Sequence, residues 1–439
     1  MREAQPLEQA VGMRWYVSER SGIGGKLKTA PDHFHVTELE ADTFQPIDAD
    51  PADYPAVIVR VTLEDWDTFG FARRFAREIG IHHEAVRWAG TKDKSAITTQ
   101  LFSFRSLEDE ISLPDIPGAS ISLIGRSGRQ LGFGDLLGNE FSITVAEPTA
   151  PEQHEPISEE LRSFGAGEIG VPNYFGQQRF GSIRPVTHTV GLAILTDSWE
   201  EAVLAYVGNP SDDEPVSTQE ARRYVDETRD WEGALERFPP HLTHERRMCR
   251  SLSAAENEPQ AFREALDTLS HSLQQLFIHA VQSVLFNEIL SERLAREIPF
   301  TKAIVGDTVC FGQETDRLGM IPDPDRTQRV TADRLDTINR HIAGGRAFIT
   351  APLIGTETEL SSGTIGDIER SVLERWGITA SDFALPEPYA TTGHRRAILV
   401  QTRLSITEEP LTFSFGLPSG SYATVVMREY LKVSPAQLS

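Results

Sequence analysis

The strongest constraint on the fold is a hydrophobic period that changes along the chain and then changes back. The early part is written in period two: residues 54–63, YPAVIVRVTL, alternate β-branched side chains and read as a strand. Before them, Leu27 to Glu40 reads as extended chain interrupted at Pro31. A helical stretch follows, capped by Asp67 or Thr68 and running through Ile79. Its apolar face is Phe69, Phe71, Ala72, Phe75, Ala76 and Ile79, and Gly80 is its stop. Further strand signals, separated by Gly and Pro, fill residues 111–146 and end in Phe141 to Val145. From about residue 195 the chain turns acidic and helix-rich through 270, with SDDEP at 211–215 as a surface loop. Leu269 to Ile298 is the longest helical pattern, with Leu273, Phe277, Ala280, Val284 and Ile289 spaced for one buried face. Gly306-Asp307-Thr308 opens a short strand-like region leading to an Asp/Pro-rich loop, IPDPDR, and residues 390–439 return to strand and turn chemistry. A strand, a helix and then several strands argue for α+β rather than doubly wound α/β.

The composition supports real cores and narrows the partners. At 439 residues and 39% hydrophobic the chain has the length of two or three domains and enough apolar surface to bury. Asp and Glu total 65 against 42 Lys and Arg, a net charge of −23; only six of the basic residues are lysine, so 36 are arginine. Excess carboxylate with scarce lysine is the signature of a high-salt cell interior, where a Debye length of about 3 Å screens the self-repulsion. Taken alone, the charge argues against a nucleic-acid partner. Two cysteines, Cys249 and Cys310, build neither a disulfide framework nor a Cys-rich zinc site, and the twelve histidines show no ligand spacing. The first residues have no apolar signal core, and no run reaches the roughly 20 apolar residues of a membrane span, so a soluble cytoplasmic protein is expected. Phosphate-loop, dinucleotide-fingerprint, GxSxG and HExxH patterns are absent.

Three polar clusters remain. Gly90-Thr91-Lys92-Asp93-Lys94-Ser95 places one carboxylate between two lysines in a chain that otherwise avoids lysine. The neighbouring cations keep Asp93 ionised; the plainer reading is a turn with Asp93 bonded to its own backbone. Asn173-Tyr174-Phe175-Gly176-Gln177-Gln178-Arg179-Phe180-Gly181 mixes amides, an arginine and three aromatics. That suits a flat, polar-edged ligand such as a nucleobase, or else an aromatic turn packed into the core. His279, Gln282 and Ser283 share a face of the long helix, with Asn287 one turn beyond, and helix–helix hydrogen bonding is the favoured explanation.

Taken in order, these clusters resemble the TruD family of tRNA pseudouridine synthases, and more narrowly its archaeal, haloarchaeal branch. The similarity runs through KLKTAPDHFHVTELE (26–40), AGTKDKSAITTQ (89–100), GDLLGNEF (134–141), VPNYFGQQRFG (171–181), FIHAVQSVLFNEILSER (277–293) and FGLPSGSYATVVMREYL (415–431). It departs at His33, where the opening motif usually has Asp; Phe34, Val36 and Glu38 keep the register.

The resemblance implies isomerisation of a tRNA uridine, at position 13, to pseudouridine, with tRNA as the partner and no membrane or protein partner. It implies the pseudouridine synthase fold, a mixed and largely antiparallel sheet with helices, interrupted by a large TRUD insertion. The expected division is 1–195 and 390–439 for the catalytic domain and 196–389 for the insertion. Bond isomerisation oxidises nothing and loses nothing, so no redox cofactor, nucleotide or metal is required. Family position assigns Asp93 as the catalytic carboxylate, either a nucleophile at C1′ or a base toward the 2′-hydrogen. Substrate contacts are expected from Phe34, Lys92, Lys94, Asn173, Phe175, Arg179, Lys26 and Lys28, with Arg396 a further phosphate candidate and residues 420–424 lining the cleft. The alternatives are a synthase for another tRNA or rRNA site, a non-catalytic RNA-binding protein on this scaffold, or an Asp-dependent glycosidase. The last is disfavoured because its chemistry uses two carboxylates. The charge argument is then reversed: four of the six lysines lie in the motifs at 26–40 and 89–100, so the acid is solvated surface and the basic groups gather at a cleft. In a salt-rich cell, RNA binding rests more on stacking and shape than on counterion release.

Overall fold

The computed structural model describes residues 1–439 except Asp42, Asp93, Asp109, Ser182, 256–258, 316, 317 and Ser439. Its centre is an eight-stranded sheet. Along the sheet the strands run Leu404–Glu408, Leu411–Pro418, Leu136–Thr144, Phe34–Glu40, Ile97–Arg105, Ala56–Leu63 and Ala119–Ser127, and Arg87–Trp88 also pairs with Ile97–Arg105. Phe34–Glu40 and Ile97–Arg105 are parallel, and the other pairings in the sheet are antiparallel. This is the mixed, largely antiparallel α+β architecture expected from the sequence.

The sheet draws strands from both ends of the chain because a half-buried strand must find a partner for each edge. Strand Ala56–Leu63 lies one in from the edge strand Ala119–Ser127, and its Val57, Val59, Val61 and Leu63 pack against Phe71, Ala72, Phe75 and Ala76 of helix Thr68–Glu78. Asp67 caps that helix, its carboxylate accepting from Gly70 N at 2.8 Å. Phe69, expected on the apolar face, is instead exposed and meets only the edge of Trp88. Two residues after the cap and two before Phe71, it falls outside the stripe that Phe71 and Phe75 define.

Between the two parts of the large sheet lie helices from Thr187–Leu195 to Pro259–Asp267, then the long helix His271–Ala295. A period-3.6 stripe predicts one buried face for the long helix, yet it is buried on nearly every side, the mark of a helix at the middle of a core. Helix Thr187–Leu195 lies so close to it that a Cβ on Gly191 would fall 2.1 Å from Phe277 O.

A second sheet, in the order Gly319–Arg329, Thr308–Thr315, Ala347–Leu353, His394–Ala397, is antiparallel. The IPDPDR segment expected as a loop lies inside its edge strand, Gly319–Arg329. Proline is tolerated there because one side of an edge strand needs no N–H donor, and a bulge between Cys310 and Gly312 absorbs the irregularity. The second correction lies near the chain's end: ATVVMREYL, read with the returning strands, forms the buried helix Ala423–Leu431. Among the described residues no helix is long and apolar enough to cross a membrane.

Candidate active site and RNA cleft

The loop before strand Ile97–Arg105 crosses the face of its parallel neighbour, Phe34–Glu40, because Ile97 is level with His35 while Lys92 reaches Glu38. Period two places Phe34, Val36 and Glu38 on the inward face, so a carboxylate is buried among apolar side chains. Lys92 Nζ donates to Glu38 Oε1 at 2.6 Å, and Leu101 N donates to Glu38 Oε2 at 3.3 Å. Burial pushes the Glu38 carboxyl up, and the Lys92 charge opposes that rise.

Three further bonds fix the loop. Lys92 N donates to Thr68 Oγ1 at 2.8 Å, Thr68 Oγ1 donates to Gln100 Oε1 at 3.1 Å, and Gln100 Nε2 donates to Gly90 O at 3.1 Å. Lys94 is exposed, and Asp93 lies outside the described residues. Glu38, read only as keeping the motif register, Thr68, read only as a helix cap, and Gln100 were not among the expected site residues; the readable signal is an acid at an inward position of an alternating strand.

The Asn173–Gly181 segment follows strand Ile169–Pro172 and packs on the long helix. Asn287 Oδ1 accepts from Phe175 N at 2.8 Å, and Asn287 Nδ2 donates to Phe175 O at 3.0 Å. Gln282 Nε2 donates to Ile354 O at 2.7 Å. The polar strip of the long helix is thus largely committed to backbone groups of loops and of the helix itself, not to the helix–helix bonds expected, because the chain crossings at Val11, Phe175 and Ile354 pack against it.

Asn173 and Phe175 are both buried. Asn173 Nδ2 donates to Ala397 O at 2.8 Å, and its Oδ1 accepts from Arg396 at 2.6 Å and Ser421 at 3.4 Å. Arg396 lies 4.3 Å from the Phe175 ring centroid, while Phe286 and Tyr422 meet that ring edge to face at 5.6 and 6.0 Å. Burial pushes the Arg396 guanidinium down to about 10.

Asn173, Phe175, Arg396 and Ser421 line a cleft of about 430 Å³ between the two sheets, with Leu136, Leu137, Pro418 and Ser419 on one side and Ile321, Pro322 and Pro324 on the other. A neighbouring cleft of about 530 Å³ shares Asn173, Ala397 and Ser421. The tip of the second sheet's hairpin reaches the large sheet, where a Cβ on Gly138 would come 2.8 Å from Leu318 Cδ1. The loop and the cleft are neighbours, since a Cβ on Gly90 would stand 3.0 Å from Glu38 Oε1 and 3.8 Å from Leu136.

The structure therefore brings together Asn173, Phe175, Arg179, Arg396 and Ser421. Phe34 is buried on the same strand as Glu38, edge to face with Phe141 at 6.3 Å and with Lys28 Nζ 4.9 Å from its ring, but it lines neither cleft. Lys26 is exposed and pairs with Glu147 at 2.8 Å. Among the described residues no group of three His, Cys, Asp or Glu side chains is placed to hold a metal.

Comparison with known proteins agrees with this architecture. The family model described as tRNA pseudouridine synthase D (TruD) matches residues 10–430. A protein of Halobacterium salinarum, described as a probable tRNA pseudouridine synthase D, is 52% identical over all of both chains. One from Methanosarcina acetivorans with the same description is 37% identical over all of this chain and 99% of its own. A crystal structure from Methanosarcina mazei, reported under the name tRNA pseudouridine synthase D, superposes with a TM-score of 0.83 at 35% identity, covering 99% of this chain and all of that one. Fold and similarity together define an isomerase acting on RNA. The chain belongs to the TruD family of tRNA pseudouridine synthases.

Proposed function

We propose that the protein converts a uridine at position 13 of tRNA into pseudouridine, in the cytoplasm, with Asp93 as the reacting carboxylate. The C1′–N1 bond breaks, the uracil turns, and C1′ bonds to C5. N1 ends with a proton and C5 gives one up, so atoms balance without a co-reactant. Asp93 acts on C1′ as a nucleophile or on the 2′-hydrogen as a base. The observation that carries this reading is the buried Lys92–Glu38 pair, which holds the residue before Asp93 on the inward face of the sheet beside the cleft.

The target uridine leaves its stack and enters the cleft, at a cost of a few kcal/mol that the pocket must offset. Asn173 offers the base the second hydrogen of its Nδ2, since an amide nitrogen carries two and one meets Ala397 O. Phe175 meets the base with the ring surface that Arg396 leaves open. Phe34, Lys26, Lys28 and Lys94 are read as contacts to the RNA around the nucleotide. The division into 1–195, 196–389 and 390–439 is supported by the large sheet, whose strands come from residues 34–144 and 404–418. His394–Ala397, inside the last of these segments, still pairs in the second sheet, and the strands of the large sheet resume only at Leu404.

Replacing Asp93 by Asn is the deciding experiment. The variant is expected to fold and bind tRNA while forming no pseudouridine in a single-turnover assay. Appreciable product would refute the assignment.

A further inference from the structure

The 430 Å³ cleft has a charge pattern unlike the rest of the molecule. Its lining includes Arg179, Arg395, Arg396, His279 and His394 and, among the described residues, no carboxylate, in a chain with 65 Asp and Glu. Other buried arginines meet acids, as Arg222 meets Glu245 at 2.9 Å and Arg293 meets Asp307 at 2.6 Å, or, like Arg126, spend their donors on backbone carbonyls such as Ile47 O at 3.0 Å. Arg395 follows that habit through Glu369 at 3.4 Å.

The other four cleft cations do not, and they act on one another. Burial, then Arg179 and His394, hold His279 below its usual range. Burial and Arg396 lower His394, against a smaller opposing pull from Asp325. Arg179 in turn acts on Arg396. Neither imidazole has a hydrogen-bond partner among the described residues, and Arg179 has only Ser283 Oγ, at 3.4 Å. Like charges gathered around a void disfavour one another, and an anion entering the void adds an attraction to each of them that offsets this repulsion.

We propose that this cleft binds an RNA phosphodiester beside the target nucleotide, with Arg179 and Arg396 as fixed charges and His279 and His394 as groups that take up protons when the phosphate enters. The inference rests on the tRNA reading above, because Asn173 and Phe175 line the same cleft. A guanidinium fork matches the paired oxygens of a phosphodiester, and an imidazolium adds a charge-assisted bond. Each proton comes from solvent, so the complex holds up to two more protons than its separated parts. Charges partly withdrawn from solvent are screened less by salt than surface ones, which suits half-buried Arg179, Arg396 and His279 as a phosphate site in a high-salt protein.

The test is the affinity for a fluorescently labelled tRNA transcript, read by anisotropy at about pH 6 and about pH 8. Besides the histidines, the charged or titratable groups facing them are Arg179, Arg395, Arg396, Asp325 and Cys310. Cys310 is pushed up to about 11 by burial, and arginine and aspartate side chains ordinarily titrate outside that window. Wild type is expected to bind about tenfold more tightly at the lower pH. His279→Gln with His394→Gln should remove that difference, leaving the weaker value at both pH values and a raised KM with little change in kcat. Arg179→Gln should weaken binding about equally at both.

An unchanged pH slope in the double variant would overturn the proposal. So would unchanged tRNA affinity together with lost binding of inorganic phosphate by calorimetry, which would make this a free-phosphate site. If wild type forms no pseudouridine yet shows histidine-dependent tRNA binding, the isomerase reading fails and this one stands.

Discussion

Two buried arginines, Arg428 and Arg396, show how one side chain serves opposite ends. Arg428, on helix Ala423–Leu431, donates to Glu8 at 2.6 Å and Glu429 at 3.0 Å and lies 4.3 Å from the Tyr16 ring. Burial disfavours its charge, but the two carboxylates more than compensate and hold its pKa above the usual arginine value. Arg396 is buried without an acid, against an amide and two rings, and burial pulls it down. The first is a cross-link between the two ends of the chain. The second is a charge held in readiness. Counter-ions set the two apart: Arg428 has two carboxylates and Arg396, among the described residues, has none.

The largest expected effect breaks the first half of this contrast. Arg428→Met strands Glu8 and Glu429 in the core and should cost about 3–5 kcal/mol of stability in chemical denaturation. Arg396→Met should change stability by no more than about 1 kcal/mol, because it removes a buried charge that has no counter-ion. Equal losses for the two variants would erase the distinction.

His188 sharpens it, as a buried imidazole that faces no anion and no cleft. Its ring meets Phe180 and Trp376, its Nδ1 has no partner among the described residues, and burial pulls it down to about 4. Because the folded value lies below the unfolded one, the unfolded chain binds the proton more readily. Stability should therefore be undiminished above about pH 6.5 and fall by roughly 3 kcal/mol as pH drops toward 4. His188→Phe should flatten that part of the curve, and an unchanged curve would place the loss elsewhere.

Lys92 lies between the extremes, with a single carboxylate, Glu38. Glu38→Gln keeps a neutral hydrogen bond and removes the charge, so kcat should fall about tenfold while KM for tRNA stays constant. A change confined to KM would make Glu38 a binding residue instead of a positioning one.

The fold was legible where a segment's own pattern decides its state. Strand Ala56–Leu63 and helix Thr68–Glu78 match the sequence reading to within two residues. The pattern misled where tertiary surroundings override local signals, as at IPDPDR, where an edge position tolerates prolines that elsewhere mean a loop. At Ala423–Leu431, β-branched residues suggested strand, yet packing against Tyr16 and Tyr174 favours a helix. The motifs singled out Asn173, Phe175 and Arg179, which share one cleft. They could not reveal that Arg396 already covers Phe175, nor that His279 and His394, far apart in sequence, face the same void. Those are facts of chain crossing, which no local pattern encodes.

The seam between strands Leu136–Thr144 and Leu411–Pro418 bears on synthesis. Thr144 and Thr412 bond across it at 2.9 Å although 268 residues separate them. A ribosome adding about 5–20 residues per second leaves the first strand with an open edge for tens of seconds before its partner emerges. Throughout that interval the cleft lacks Pro418, Ser419 and Ser421. The cleft is therefore completed late in translation, and until then the edge of strand Leu136–Thr144 stands open to pairing with the wrong neighbour.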